Sequence, residues 1–189
     1  VGGNLSVTST TGKIHQWAGG PLTVGGTSSF TTLANNQRIV LNNANAFTGA
    51  VSLNTTGSSA YATVVDASGL NLGASTVGGY LVATATTGNI VDSGVLTIAG
   101  TSSFTTSANN ADIILNNANA FTGTVALNTT GSSGNATVVD ASGLNLAAST
   151  VGGNLIATAT TGDIVDSGVL TIAGTSSFTT SQNNADITL

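Results

Sequence analysis

Acid–base or metal chemistry in this chain would have to come chiefly from seven Asp, Lys13, Arg38 and His15, since Glu and Cys are absent. Six of the seven carboxylates recur in pairs at one spacing: Asp66 with Asp140, Asp92 with Asp166 and Asp112 with Asp186, always 74 apart. Asp66 and Asp92 each follow a β-branched pair, as do Asp140 and Asp166. If those pairs stack on successive coils of a solenoid, the carboxylates approach to about one strand spacing, ~5 Å. A Ca2+ ion, which takes oxygen ligands in loose geometry, would then bridge Asp66 to Asp92, or Asp140 to Asp166. Two carboxylates are few for that ion, and the GGxGxD signature of Ca2+-binding β-helices does not occur. The competing reading is an Asp at a strand end that bonds its own backbone. No metal and no other cofactor is assigned.

Catalysis finds less support. Glycan-cleaving β-helices use clustered carboxylates, often with Arg or Lys, in a groove. Here Arg38 stands where the next copy has Asp112, and a near-identical repeat offers no unique site. His15 is alone, so no nucleophile–imidazole–carboxylate relay assembles around it. The Gly pairs in "TVGG" precede no helix and are not a phosphate cradle. The chain is expected not to be an enzyme.

The elements that carry these residues follow from repetition. "TSSFTT" begins at Thr27, Thr101 and Thr175, "NNANAFTG" at Asn42 and Asn116, and "VVDASGLNL" at Val64 and Val138, always 74 apart. Residues 27–100 and 101–174 differ at only 12 of 74 aligned positions. The units are thus 1–26 (partial), 27–100, 101–174 and 175–189 (partial), in one continuous array over 1–189. Within each unit, short runs such as "VLTIAG" and "NLIATATTG" alternate apolar with small polar residues, the period of half-buried strands. Gly, Asn and Ser punctuate the runs and suit corners that need positive φ. β-branched pairs begin at Ile14, Ile39, Val64, Ile90, Ile113, Val138, Ile164 and Ile187, in steps between 23 and 26. These steps predict three coils of about 25 residues per 74-residue repeat, about seven and a half coils in all. The fold class is all-β: a parallel β-helix, or β-solenoid. A single coil cannot bury its inner face, whereas stacked coils bury a continuous core.

Composition agrees. Of 189 residues, 40% are hydrophobic and only 5% charged, against about 25% charged in a typical soluble domain. Disordered chains are apolar-poor and charge-rich; this one can bury a core. Two cations against a net charge of −5 argue against nucleic acid, which needs clustered Lys and Arg, and against anionic membrane surfaces. No apolar run is long enough to span a bilayer. The lack of Cys fits a secreted bacterial protein, and the lack of an initiator Met suggests a window cut from something longer.

The two full copies indicate inside and outside. Phe30, Phe104 and Phe178 do not vary, nor do Phe47 and Phe121, which suits a core stack. The first member of each β-branched pair is always Ile or Val and is expected inward. The second member then faces out, giving an apolar outer row of Val40, Val65, Val91, Ile114, Val139 and Val165. That row is either a lateral contact face or plain β-propensity on a solvated strand. Tyr61 and Tyr80 replace Asn135 and Asn154, so they are expected at the surface, where they either contact a partner or cover neighbouring apolar area. Trp17 lies in the divergent segment "KIHQWAGGP", a specialised contact or repeat drift. The Thr residues are expected in different phases of successive coils, which disfavours an ice-binding face.

The stretch "VGGNLIATATTGDIVDSGVLTIAGTSSFTT" resembles the long repeat regions of bacterial filamentous-haemagglutinin-like exoproteins, large surface adhesins exported by the two-partner route or as autotransporters. "KIHQWAGGPLTVGGTSSFT" is similar to a variant of the same coil. The resemblance implies a right-handed parallel β-helix, in line with the hand of parallel crossovers. It further implies a rigid shaft on a bacterial cell surface and an outer-membrane secretion partner outside this window. It carries over no binding residues. Further copies of the repeat, end to end or side by side, are the expected partners. A binding module using one Thr- or Tyr-decorated face, for glycan or ice, is the alternative.

Overall fold

The structure is a computed structural model and describes residues 1–17 and 19–189. Every regular element among them is a strand, and no helix is long and apolar enough to cross a membrane. Strands form because side chains alternate in and out: Ala62–Asp66 and Ala136–Asp140 show buried residues at every second position. All pairings are parallel, so each strand is followed by a crossover rather than a hairpin.

Two sheets face one another, each with a path of nine rungs. The first sheet runs through Leu5–Ser9, Ser28–Thr32, Val51–Asn54, Leu70–Leu72, Ile90–Asp92, Ile113–Phe121, Ala136–Asp140, Leu155–Ala159 and Ser176–Thr180. The second runs through Ile14–His15, Ile39–Phe47, Ala62–Asp66, Leu81–Ala85, Ser102–Asn109, Val125–Thr130, Leu144–Leu146, Ile164–Asp166 and Ile187–Thr188. Short strands such as Ser75–Val77 and Leu96–Ile98 extend a partial third ladder at the corner, where Thr97 and Ile98 pair with Ala120 and Phe121.

This is the parallel β-solenoid expected, but its coil is shorter. On the first sheet, register partners on successive rungs include Ala136↔Leu155, 19 apart in the chain, and Leu5↔Ser28, 23 apart. Nine coils replace the seven and a half inferred from the β-branched pairs. Ser28 and Ser176, two repeats apart in the chain, are seven rungs apart on the first sheet, while Ser102, midway between them, lies on the second. One repeat is therefore three and a half turns, not three. The β-branched pairs misled because similar dipeptides serve both sheets: Val64 belongs to the second and Ile90 to the first. Counting from one to the other spans a coil and part of the next crossover.

The core is continuous. Ile39, Val64, Ile90, Ile113, Val138 and Ile164 are buried within it, with Leu and Ala between. Ile14 packs at the first rung, and Ile187 is exposed on the last. The phenylalanines do not form one axial stack. Phe30 meets Phe47 edge to face at 6.0 Å, and Phe104 meets Phe121 likewise at 5.9 Å, one pair per repeat. Phe178 is only partly buried. Such pairs add about 0.5–1.5 kcal/mol beyond their buried area.

Candidate functional site

The carboxylates do not meet. Asp66 lies on the second sheet and Asp92 on the first, Asp140 on the first and Asp166 on the second. The stacked Ca2+ bridge is therefore corrected: with half-turn alternation, neither pair shares a face. Among the described residues no three His, Cys, Asp or Glu gather in a group fit for a metal ion.

The backbone absorbs most of these carboxylates instead. The Asp66 carboxylate accepts the Phe47 N–H at 3.1 Å and both the N–H and hydroxyl of Ser68 at 2.9 Å. Asp140 does the same for Phe121 and Ser142. Asp92 holds a bulge where the register shifts between Leu115 and Asn119. It accepts the N–H of Asn116 at 3.0 Å, that of Asn117 at 3.3 Å and the Asn119 Nδ2 at 2.7 Å. In the first copy Gln16 takes that part, accepting from Asn43 N and Asn45 Nδ2. Burial pushes the Asp140 carboxyl above its ordinary range, against the hydrogen bonds from Ser142 and Phe121.

A ladder of Asn and Asp edges the first sheet, just before its strands. Asn89 Oδ1 accepts from Asp112 N, Asp112 Oδ1 from Asn135 N, Asn135 Oδ1 from Asn154 N, and Asn154 Oδ1 from Thr175 N, at 2.8–2.9 Å. The corresponding edge of the second sheet carries Lys13, Arg38, Tyr61 and Tyr80 on successive rungs, as the bonds Ile14 N→Arg38 O, Ile39 N→Tyr61 O and Ala62 N→Tyr80 O show. The two rings stack at 4.5 Å and 8°, and the Arg38 guanidinium sits 5.9 Å from the centre of the Tyr61 ring. Partial burial and the adjacent Tyr61 raise the Tyr80 phenol above its ordinary value, with Arg38 opposing.

These two edges are the same positions in different copies. A surface groove of about 300 Å3 on the first sheet is lined by Asp112, Ile114, Asn135, Thr137, Asn154 and Ile156, among others. Subtracting 74 from those numbers gives Arg38, Val40, Tyr61, Thr63, Tyr80 and Val82. Where the second copy has a groove, the first has a stacked tyrosine pair. The floor differs to match. Val40 is buried and its counterpart Ile114 only half-buried; Val82 is half-buried and its counterpart Ile156 is 49% exposed.

The expected outer row of Val40, Val65, Val91, Ile114, Val139 and Val165 is not one row. Only Val91 and Ile114 are register partners; Val40 faces Thr63, Val65 faces Thr84 and Val139 faces Thr158. Threonine, by contrast, does fall in register. Thr8, Thr31, Asn54, Thr76 and Thr97 form one file on the first sheet. Thr84, Thr105, Asn128, Thr150 and Thr171 form the counterpart file, one repeat on, on the second. Trp17 is 78% exposed and meets His15 edge to face at 5.4 Å.

Sequence reading missed the groove. The only signal was the coincidence of the Tyr61/Asn135 and Tyr80/Asn154 exchanges, whose spacing equals one coil in this stretch, that of Ala62↔Leu81.

Compared with known proteins, the chain matches the sequence model of a family described as repeats of unknown function (DUF5649) over residues 1–54, 59–128 and 133–189. The second and third matches start one repeat length apart, at 59 and 133. No curated protein and no solved structure matches it.

Proposed function

The chain belongs to this DUF5649 repeat family, and from its geometry we propose that it is a non-catalytic shaft. In this reading it is a rigid spacer within a large secreted bacterial surface protein or extracellular fibre. It holds an adhesive tip, or a neighbouring cell, at a distance. Two observations carry the reading: a single uninterrupted core runs through the rungs, and the buried carboxylates Asp66, Asp92 and Asp140 are committed to holding backbone. A solenoid of this kind resists bending because each rung is hydrogen-bonded to two neighbours. The resemblance to filamentous-haemagglutinin-like repeats supports a cell-surface setting, a secretion partner and end-to-end continuation by further repeats.

Electron microscopy of the native material, with diffraction along the fibre axis, tests this. Long thin fibres with an axial repeat near ~4.8 Å are expected; short discrete particles would overturn the shaft.

The two threonine files favour a second reading, a binding module. Hydroxyls spaced by one rung can order water or meet sugar hydroxyls. Each file is one residue wide and broken by Asn54 or Asn128, and high β-propensity alone accounts for Thr there. Thermal hysteresis or retention on immobilised glycans would move the balance to this reading.

A further inference from the structure

We propose that the open groove between Asp112 and Ile156 is the docking site for Trp17 of a second copy of this chain. The argument starts from the groove's own sister site. At the same positions one repeat earlier, the Tyr61 and Tyr80 rings stack on one another, and the Arg38 guanidinium sits 5.9 Å from the centre of the Tyr61 ring. Those surface positions therefore accommodate flat aromatic groups. In the second copy Ile113, Ile114 and Ala136 form the floor, but both rings are replaced by Asn and the cation by Asp112. What remains is an open surface space of about 300 Å3 at the positions the rings hold in the first copy, with an exposed Ile156 and one carboxylate on its wall. An aromatic side chain accompanied by a positive charge complements it.

The chain carries such a group. Trp17 is its only Trp, is 78% exposed, and lies four residues from Lys13, one of its two cations. The hydrogen bonds accepted by Asp66, Asp92, Asp112, Asp140 and Asp163 come from backbone, amide and Ser hydroxyl donors, never from Lys13. The segment holding Trp17 is anchored to the next coil: Asn43 Nδ2 donates to the Trp17 and Gly20 carbonyls at 3.1 and 3.0 Å. The indole is thus presented on a tethered loop.

One chain cannot bring these parts together. Trp17 follows the first rung of the second sheet, whereas the groove lies on rungs six to eight of the first. The separation along the axis is at least about 24 Å at ~4.8 Å per rung, on the opposite side. The contact must be made between rods, staggered and head to tail. Such a heterologous contact does not close on itself and builds an open lateral array. It does not depend on the shaft reading, since a discrete particle could associate the same way.

The test uses sedimentation of the purified chain over a concentration series, with the emission of its single Trp followed in parallel. The expected result is concentration-dependent association accompanied by a blue shift. Two variants each weaken association at least about tenfold, the loss of one central aromatic anchor: Trp17→Ala, and the double change Asn135→Tyr with Asn154→Tyr. The double variant copies the chain's own first repeat, so it keeps the fold while filling the groove. A chain that stays monomeric with unshifted emission overturns the proposal. So does association that survives either variant, as end-to-end stacking would.

Discussion

Asp140 illustrates how a residue type suited to chemistry is taken up by structure. Its carboxylate is fully buried and satisfies two backbone N–H groups and one hydroxyl. Asp140→Ala leaves those donors without an acceptor and is expected to cost about 1–3 kcal/mol, read by urea unfolding. The pH dependence has a definite sign. Burial raises this carboxyl above its ordinary value, so the folded chain holds the proton more tightly than the unfolded chain. Its contribution is complete below that ordinary value and is lost as pH rises through the raised one. Melts of wild type and Asp140→Asn from about pH 3 to about pH 8 are expected to show wild type losing stability relative to the variant as pH increases. A constant difference would contradict the shift. Tyr61 and Tyr80 make the same point for surface residues: their meaning comes from stacking on each other, which their separation in the chain conceals until the coil length is known.

Single strands here are too short to be stable alone; what fixes them is the close approach of successive corners. The Gly79, Gly100 and Gly123 corners lie on consecutive rungs, and a Cβ on Gly100 would stand 2.6 Å from the Gly79 carbonyl carbon. Gly100→Ala must push two backbones apart, at a cost of about 1–3 kcal/mol as for other overpacked sites. Gly12→Ala, whose Cβ would meet only Ser9 Oγ at 3.7 Å, is the control and should melt close to wild type. Positive φ is needed at Gly57 and Gly131, 95° and 80°, and these corners fall in the gaps between the three family matches, at 55–58 and 129–132. The long strands Ile39–Phe47 and Ile113–Phe121 turn a corner through a bulge. Asn45 and Asn119 stay fully buried there, bonded to the Leu41 and Leu115 carbonyls, so the ladder bends without stranding polar groups.

The half-integral repeat governs the rod as a whole. Because one repeat makes three and a half turns, equivalent surfaces alternate between opposite sides and return to the same side only after two repeats. Deleting residues 27–100 joins Gly26 to Thr101 and moves Ser102 from the second sheet to the place Ser28 held in the first. The shortened chain should fold, with a rod shorter by about 17 Å at ~4.8 Å per rung. Its remaining Asn ladder should sit on the other side relative to Trp17. Small-angle scattering reads the length; loss of cooperative unfolding would show that the copies are not interchangeable.

The all-β class and the tandem array were legible in the chain, and so was the inward side of the interior Ile and Val positions from Ile39 to Ile164, though not of Ile187, which is exposed on the last rung, because period-2 alternation and Gly- and Asn-marked corners are local properties that any stretch of strand must show. The core positions of Phe30, Phe47, Phe104 and Phe121 were legible as well, since large residues identical between copies have to fit the same packing. The coil length was not, since alternation says which residues point inward but not which sheet a strand joins, and both sheets use the same dipeptides. Everything that depends on phase followed from that one unknown. The separation of Asp66 from Asp92, the breaking of the valine row, the alignment of threonines and the groove opposite Trp17 are all set by how much chain one turn consumes. Only hydrogen-bonded register between distant segments decides that.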